Sequence, residues 1–404
     1  MDEKKTSRRI SIKGPFITIK TDKFLNLYDK LGRRKFTKIA SIIMLYLMPV
    51  IAAFSIYFLL ITLQSMISTA EIREVTRDLG PQSYLLLPGI NPIVPIIYGW
   101  LGIVVGIIVH EGGHGIVARS LGVRVKSSGL LLFLIIPIGA FVEIDEKKIK
   151  SMSITKAGKI LAAGPGANVI VAIISLLLLF SLTSTIQPIS DTKNGLKVGN
   201  ILEEFPVGNS GLESGDIIIE ADGKRISDIK DLTIMLSENK NNMLNFKVIK
   251  TDNSIREYNV ELVENNDSIK IGITALPTTH LNQILETYQT NYFSNPLIHF
   301  IPPTLAQGVI PFSDGLSPFY ETSLGSIFHP LANTLYWIWF ININLAIFNS
   351  LPLLPLDGGH ALRNIMKNTI GKRFGEKISN RITYLVTLMM IIIILLLVLI
   401  PYII

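Results

Sequence analysis

Apolar residues fall along this chain in blocks. Five windows hold no Asp, Glu, Lys or Arg: residues 39–70, 79–110, 160–190, 322–356 and 382–404. Each contains an apolar core of about 20 residues, the length a helix needs to cross about 30 Å of hydrocarbon. The pattern predicts an α-helical polytopic membrane protein with about five transmembrane helices. Two further charge-free stretches do not fit a span. Residues 127–142, SSGLLLFLIIPIGAFV, are too short and are interrupted by Gly and Pro. They predict a re-entrant hairpin, since non-helical backbone at membrane depth needs protein cover. Residues 287–313 carry Thr, Asn, Gln and four prolines, which predicts an extracytoplasmic or interfacial linker.

Between the third and fourth windows the pattern becomes short and alternating. DIIIEADGKRI predicts a strand, a turn at Asp222-Gly223 and a second strand. SDIKDLTIMLSE predicts a helix capped by Ser227 or Asp228. NFKVIKTDNSIREYNVELV predicts two strands around a TDNS turn. Residues 191–275 therefore read as a small α/β domain inserted between spans.

The net charge of +7 changes the picture through its placement. Twelve Lys and Arg precede the first span, two lie between the first and second, eight lie in 119–159 and six follow the fourth. By the positive-inside rule this puts the N-terminus in the cytoplasm and the insert outside. It assigns the charge to the lipid bilayer and its surface, with no nucleic acid as partner. The chain has no cysteine, so a metal site must use His, Asp or Glu. The lack of Cys and the Ile- and Lys-rich usage point to the cell membrane of an archaeon or bacterium.

The second window ends in His110-Glu111-Gly112-Gly113-His114. On a helix, residues i and i+4 share a face, so two imidazoles there can hold one zinc ion. The adjacent Glu111 then lies beside the place where a water would be activated, and can take its proton. Ionisable groups in a span are costly, which favours function; a buried polar cluster serving ion or proton movement uses the same residues. Catalytic zinc needs a third protein ligand. Asp357, in FNSLPLLPLDGGH, is the first charged residue after Glu321, although a helix-ending Asp in a DGG turn gives the same letters. In the deduced topology HEGGH, Ala162–Asn168 (AAGPGAN) and Asp357 all fall on the cytoplasmic side.

With these motifs on the page, the chain resembles the site-2 protease family of intramembrane zinc metalloproteases. HExxH on a span, a following span with a Gly-Pro-x-x-Asn-like motif, and a later span ending in Asn-x-x-Pro…Leu-Asp-Gly occur in the family's order. The resemblance implies that His110, His114 and Asp357 bind one Zn2+ and that Glu111 is the general base. It implies that Asn349 holds the substrate backbone or the oxyanion, and that Gly164, Pro165 and Asn168 pack near the site. It implies endopeptidase action on transmembrane protein substrates, with the 127–142 hairpin presenting an edge to the unwound segment. FPVGNSGLESGDIIIEADGKRI resembles a PDZ domain of the bacterial protease-associated kind, with Gly195, Leu196, Lys197 and Val198 as its peptide-binding loop; a plain spacer domain remains the alternative.

The implied organisation is a basic cytoplasmic segment (1–38), a first span (39–66) and a first catalytic part (93–185). The PDZ-like insert (191–275), a linker (276–325), a second catalytic part (326–365) and a last span (382–404) follow. Two other classes share some of these features. A catalytically inactive scaffold acting through the PDZ-like domain would have no need of all four site residues. An ion-conducting protein would place titratable groups along a path across the bilayer, whereas here they gather on one side.

Overall fold

The computed structural model describes residues 10–134, 136–145, 148–149, 151–202, 205–239, 243–265 and 268–404. The first nine residues of the basic segment lie outside that set. The chain divides into two units, Met1–Leu177 with Thr334–Ile404, and Leu178–Asn333. Among the described residues, five helices are long and apolar enough to span a membrane: Lys35–Ser68, Ile96–Ser120, Ala163–Thr183, Gly325–Ser350 and Glu376–Ile403.

The first unit opens with strands β1 (Ile10–Lys13) and β2 (Phe16–Thr21) and a short helix α1 (Leu25–Gly32). The span α2 (Lys35–Ser68), the amphipathic α3 (Ala70–Leu79) and the span α4 (Ile96–Ser120) follow. Next come β3 (Val125–Phe133) and β4 (Ile136–Ile144), then α5 (Ile154–Leu161) and the span α6 (Ala163–Thr183). The expected 127–142 hairpin is thus a pair of strands, but it is not alone. β1-β2-β3-β4 form one antiparallel sheet, with Thr21 opposite Ser128 and Ser128 opposite Val142. The basic N-terminal segment supplies half of that sheet. β4 is an edge strand.

Large apolar side chains on α2 such as Ile39, Ile43, Tyr46 and Val50 are exposed, as a lipid-facing helix requires. The buried side is different: Met44, Met48, Val117, Ala118, Ile160, Ala162 and Ala163 pack with Tyr28 of α1. Small residues there bring the backbones of the helices close together. Asp29 of α1 accepts two hydrogen bonds from the Arg119 guanidinium at the end of α4, which ties α1 to the span.

In the second unit, β5 (Leu196–Ile201) appears where a loop was expected, and β6 (Ile217–Ala221), β7 (Lys224–Arg225), α7 (Ile229–Glu238), β8 (Met243–Ile249) and β9 (Ile255–Glu261) appear where the pattern placed strands and a helix. Asp228 caps α7 through a capping box with Asp231. A short β10 (Val263–Asn265) and β11 (Ser268–Lys270) pair with each other, and β12 (Ile273–Pro277) leads into α8 (Thr278–Ser294). The larger sheet runs β12-β5-β6-β8-β9, with β7 on β6. Its core includes Leu196, Val198, Ile218, Phe246 and Val260. The segment expected as a linker contains the 17-residue α8, whose Leu281, Leu285, Tyr288 and Tyr292 are buried at helical spacing.

The chain returns through the span α9 (Phe328–Ser350), then α10 (Asp357–Asn368), α11 (Ile370–Phe374) and the last span α12 (Glu376–Ile403). The fourth span therefore stops at Ser350. Asp357 does not end it; it begins the next helix, after a turn that contains Pro352 and Pro355.

Candidate active site

His110 and His114 occupy successive turns of α4, on the face toward α6, and their Nε2 atoms lie 3.3 Å apart. Asp357, the first residue of α10, brings Oδ2 to 3.0 Å from His110 Nε2 and 3.2 Å from His114 Nε2. The two glycines after Asp357 let the α10 backbone press on residues 350–354, where any Cβ would meet main-chain atoms. That approach sets the height of the carboxylate.

The other nitrogen of each imidazole is occupied. His114 Nδ1 lies 2.7 Å from the Ile160 carbonyl, and His110 Nδ1 lies 3.2 Å from Asn168 Oδ1. A carbonyl oxygen only accepts, so both Nδ1 atoms carry the proton and both Nε2 lone pairs face inward. Asn168 is fully buried and is oriented in turn by donating to the Gly106 carbonyl at 3.4 Å. Two lone pairs and a carboxylate oxygen then converge on one point. Asp357 Oδ2 is buried there, and its geometry admits no hydrogen bond. Such an arrangement is repulsive unless a cation sits in it. A tetrahedral zinc with bonds of about 2.0–2.1 Å keeps its ligand atoms about 3.3 Å apart, close to the spacing found. Among the described residues these three form the one group of this kind. The donor set fits zinc, and Gly164 leaves the space, since a Cβ there would stand 2.6 Å from His110 Nε2.

Glu111 turns to the other side. Its Oε2 accepts the backbone N–H of Val142, on the edge strand β4, at 3.0 Å. It also lines a cavity of about 520 Å³ whose walls are nearly all apolar. Phe24 and Tyr28 of α1, Met44 of α2, Val142 of β4 and Ile170 of α6 are among the lining residues. Burial raises the pKa of the Tyr28 hydroxyl, so it stays a neutral donor.

The sequence-predicted residues are only partly brought together. His110, His114 and Asp357 meet, with Glu111 beside them. Asn349, near the end of α9, donates its side-chain N–H to Leu345 O at 3.0 Å, within its own helix. Asn168 does more than pack: it is the hydrogen-bond partner of His110. Gly195, Leu196, Lys197 and Val198 do not form a loop. Leu196–Val198 lie in β5, paired with β12 on one side, and Leu196 and Lys197 also pair with β6 on the other. The Lys197 ammonium is buried against Glu321 at 2.7 Å. A strand with both edges taken has no edge for a peptide. β9 is the outer strand at one end of the sheet; at the other, beyond β5, the outer strand is β12, which follows β5 only after most of the insert. A cavity of about 330 Å³ lies there, lined by Leu232 and Leu236 of α7 and by Gly272, Ile273 and Ala275. Gly272, at φ +82°, lies just before β12.

Comparison with known proteins agrees with this geometry. The model of peptidase family M50 matches residues 98–397. An uncharacterized protein of Methanocaldococcus jannaschii is 29% identical over 349 residues, covering 86% of this chain and 76% of that one. The zinc metalloprotease RasP of Oceanobacillus iheyensis is 26% identical over 227 residues, covering 54% of this chain and 52% of its own. The matched span holds all of the converging donors and Glu111 and extends over four of the five apolar helices, and on it the chain belongs to peptidase family M50, the site-2 family of metalloproteases.

Proposed function

We propose that this protein is an intramembrane zinc endopeptidase that hydrolyses peptide bonds within transmembrane segments of other membrane proteins, near their cytoplasmic ends. The observation that carries the proposal is the convergence of His110 and His114, on a spanning helix, with Asp357, next to Glu111, which lines an apolar cavity. His110, His114 and Asp357 would hold zinc, which would supply Lewis-acid activation of the scissile carbonyl and of water. Glu111 takes a proton from the attacking water as its oxygen adds to the carbonyl carbon. It returns that proton to the amide nitrogen as the C–N bond breaks. The apolar lining excludes bulk water and accepts hydrophobic side chains, which suits a segment drawn from the bilayer. The free edge of β4 offers main-chain groups to an unwound strand. Asn349 is assigned to hold the substrate backbone or the oxyanion; its bond to Leu345 O uses one of its two amide N–H donors.

The distribution of Lys and Arg supports a cytoplasmic N-terminus and an extracytoplasmic insert. The insert is assigned as PDZ-like. If it takes a peptide, the groove between β12 and α7 is the place, with the peptide added as a strand.

The test is cleavage of a model transmembrane substrate by purified protein, alongside Glu111→Gln, with zinc quantified in both. Cleavage by the wild type only, with about one zinc per chain in each, is the expected result. A folded preparation without zinc, never exposed to chelator, would sink the assignment.

A further inference from the structure

The second unit carries an apolar stripe that its own core does not use. Phe293, Leu297, Ile301, Leu305 and Val309 recur at every fourth position, and each is about half exposed, from 48% to 60%. They lie in a run, residues 287–313, with no charged side chain. The backbone there is the end of α8 followed by helical turns, with Leu305 N–H and Ala306 N–H bonded to Pro302 O and Ile310 N–H to Ala306 O. The other side of the same segment is packed inward: Tyr292, His299, Ile310 and Phe312 are almost fully buried. The stripe is thus a surface, held rigid from behind.

Two contacts fix its level. Phe180, in the last turn of the spanning helix α6, packs its ring 4.6 Å from that of Phe293 and 5.0 Å from that of Tyr292. At the other end, Asn333, inside the spanning helix α9, donates to Phe312 O at 3.1 Å. Both ends of the segment are therefore tied to side chains within the spans, at the leaflet where α6 leaves the membrane and α9 enters it. The chain between them cannot rise far into water.

We propose that residues 293–309 form an interfacial membrane anchor, laid in the plane of the extracytoplasmic leaflet, with Phe293, Leu297, Ile301, Leu305 and Val309 inserted among the lipid chains. The occupant of the stripe is lipid: the surface is continuous with the ends of two spans, charge-free, and exposes five large apolar side chains while the residues between them include several packed inward. A half-exposed apolar row of this length facing water would be an aggregation liability.

The full chain has no cysteine, so single cysteines can be labelled cleanly. Ile301→Cys and Leu305→Cys would carry an environment-sensitive fluorophore in protein reconstituted into phosphatidylcholine vesicles. Ile173→Cys on the exposed side of α6 sets the signal for full lipid contact, and Ile255→Cys, exposed on β9, sets the signal for water. The expected result is blue-shifted emission at 301 and 305, cut by about half when the acyl chains are brominated. Emission like that at 255 overturns the proposal. Blue-shifted emission that brominated lipid leaves intact also overturns it, because another protein copy then covers the stripe.

Discussion

Glu111 and Val142 meet through a side-chain carboxylate and a backbone N–H, 3.0 Å apart. The bond joins the residue next to the two histidines proposed to bind metal to the edge strand of a sheet. Replacing the carboxylate with an amide preserves an acceptor for Val142 while removing the proposed base. Glu111→Gln is therefore expected to keep its fold and zinc and to lose cleavage by about 10²–10⁴-fold. Zinc content and turnover measured on one preparation check this.

Asn168 orients His110 from behind. Partners of this kind typically change metal affinity by about 10–100-fold when removed. Asn168→Ala should lose zinc to a competing chelator at a lower chelator concentration than wild type. An unchanged chelator midpoint would show that α4 alone sets the imidazole.

The two glycines inside HEGGH should respond in opposite ways. A Cβ on Gly113 would stand 2.5 Å from Ala163 O and 2.8 Å from the Ala167 Cβ, whereas one on Gly112 meets nothing within 4 Å. Gly113→Ala is expected to push α4 from α6 and cost about 1–3 kcal/mol. Gly112→Ala should gain up to about 1 kcal/mol of helix propensity. Thermal unfolding in detergent separates the two.

Asp29 links α1 to α4 through Arg119, whose hydrogen bonds hold the carboxyl below its usual pKa. A carboxylate lowered on folding stabilises above its unfolded value, and that contribution is lost as pH falls through the folded value. Attachment of α1 should therefore weaken below about pH 4. Asp29→Asn should show the loosened state already at neutral pH. Hydrogen exchange of residues 25–32 reads it in both cases.

The apolar helices and the pairing of His110 with His114 were legible because each rests on a local rule: charge-free length for the helices, four-residue spacing for the histidines. Asp357 was found by its chemistry, yet its helix was misjudged, since the run of apolar residues continues through the turn at Pro352 and Pro355. The β1-β2 hairpin was visible in the alternation of Ile10, Ile12, Ile17 and Ile19 around Gly14-Pro15, but the density of basic residues masked it. The location of the insert's edge was not legible. Whether Gly195–Val198 face a partner depends on β12, and strand pairing at that separation leaves no mark on the intervening residues. The hydrogen bond from His110 to Asn168 is hidden for the same reason.

The tie between Asp29 and Arg119 also divides ownership of the cavity. One side of it is built from residues within the stretch matched to the family, 98–397, and includes Glu111. The other side comes from Ile19, Phe24, Leu27, Tyr28 and Met44, upstream of that span. The cavity's shape and the carboxylate at its wall thus come from separate stretches of the chain, so substitutions at Phe24 or Leu27 would alter what the cavity accepts without touching Glu111 or the two histidines.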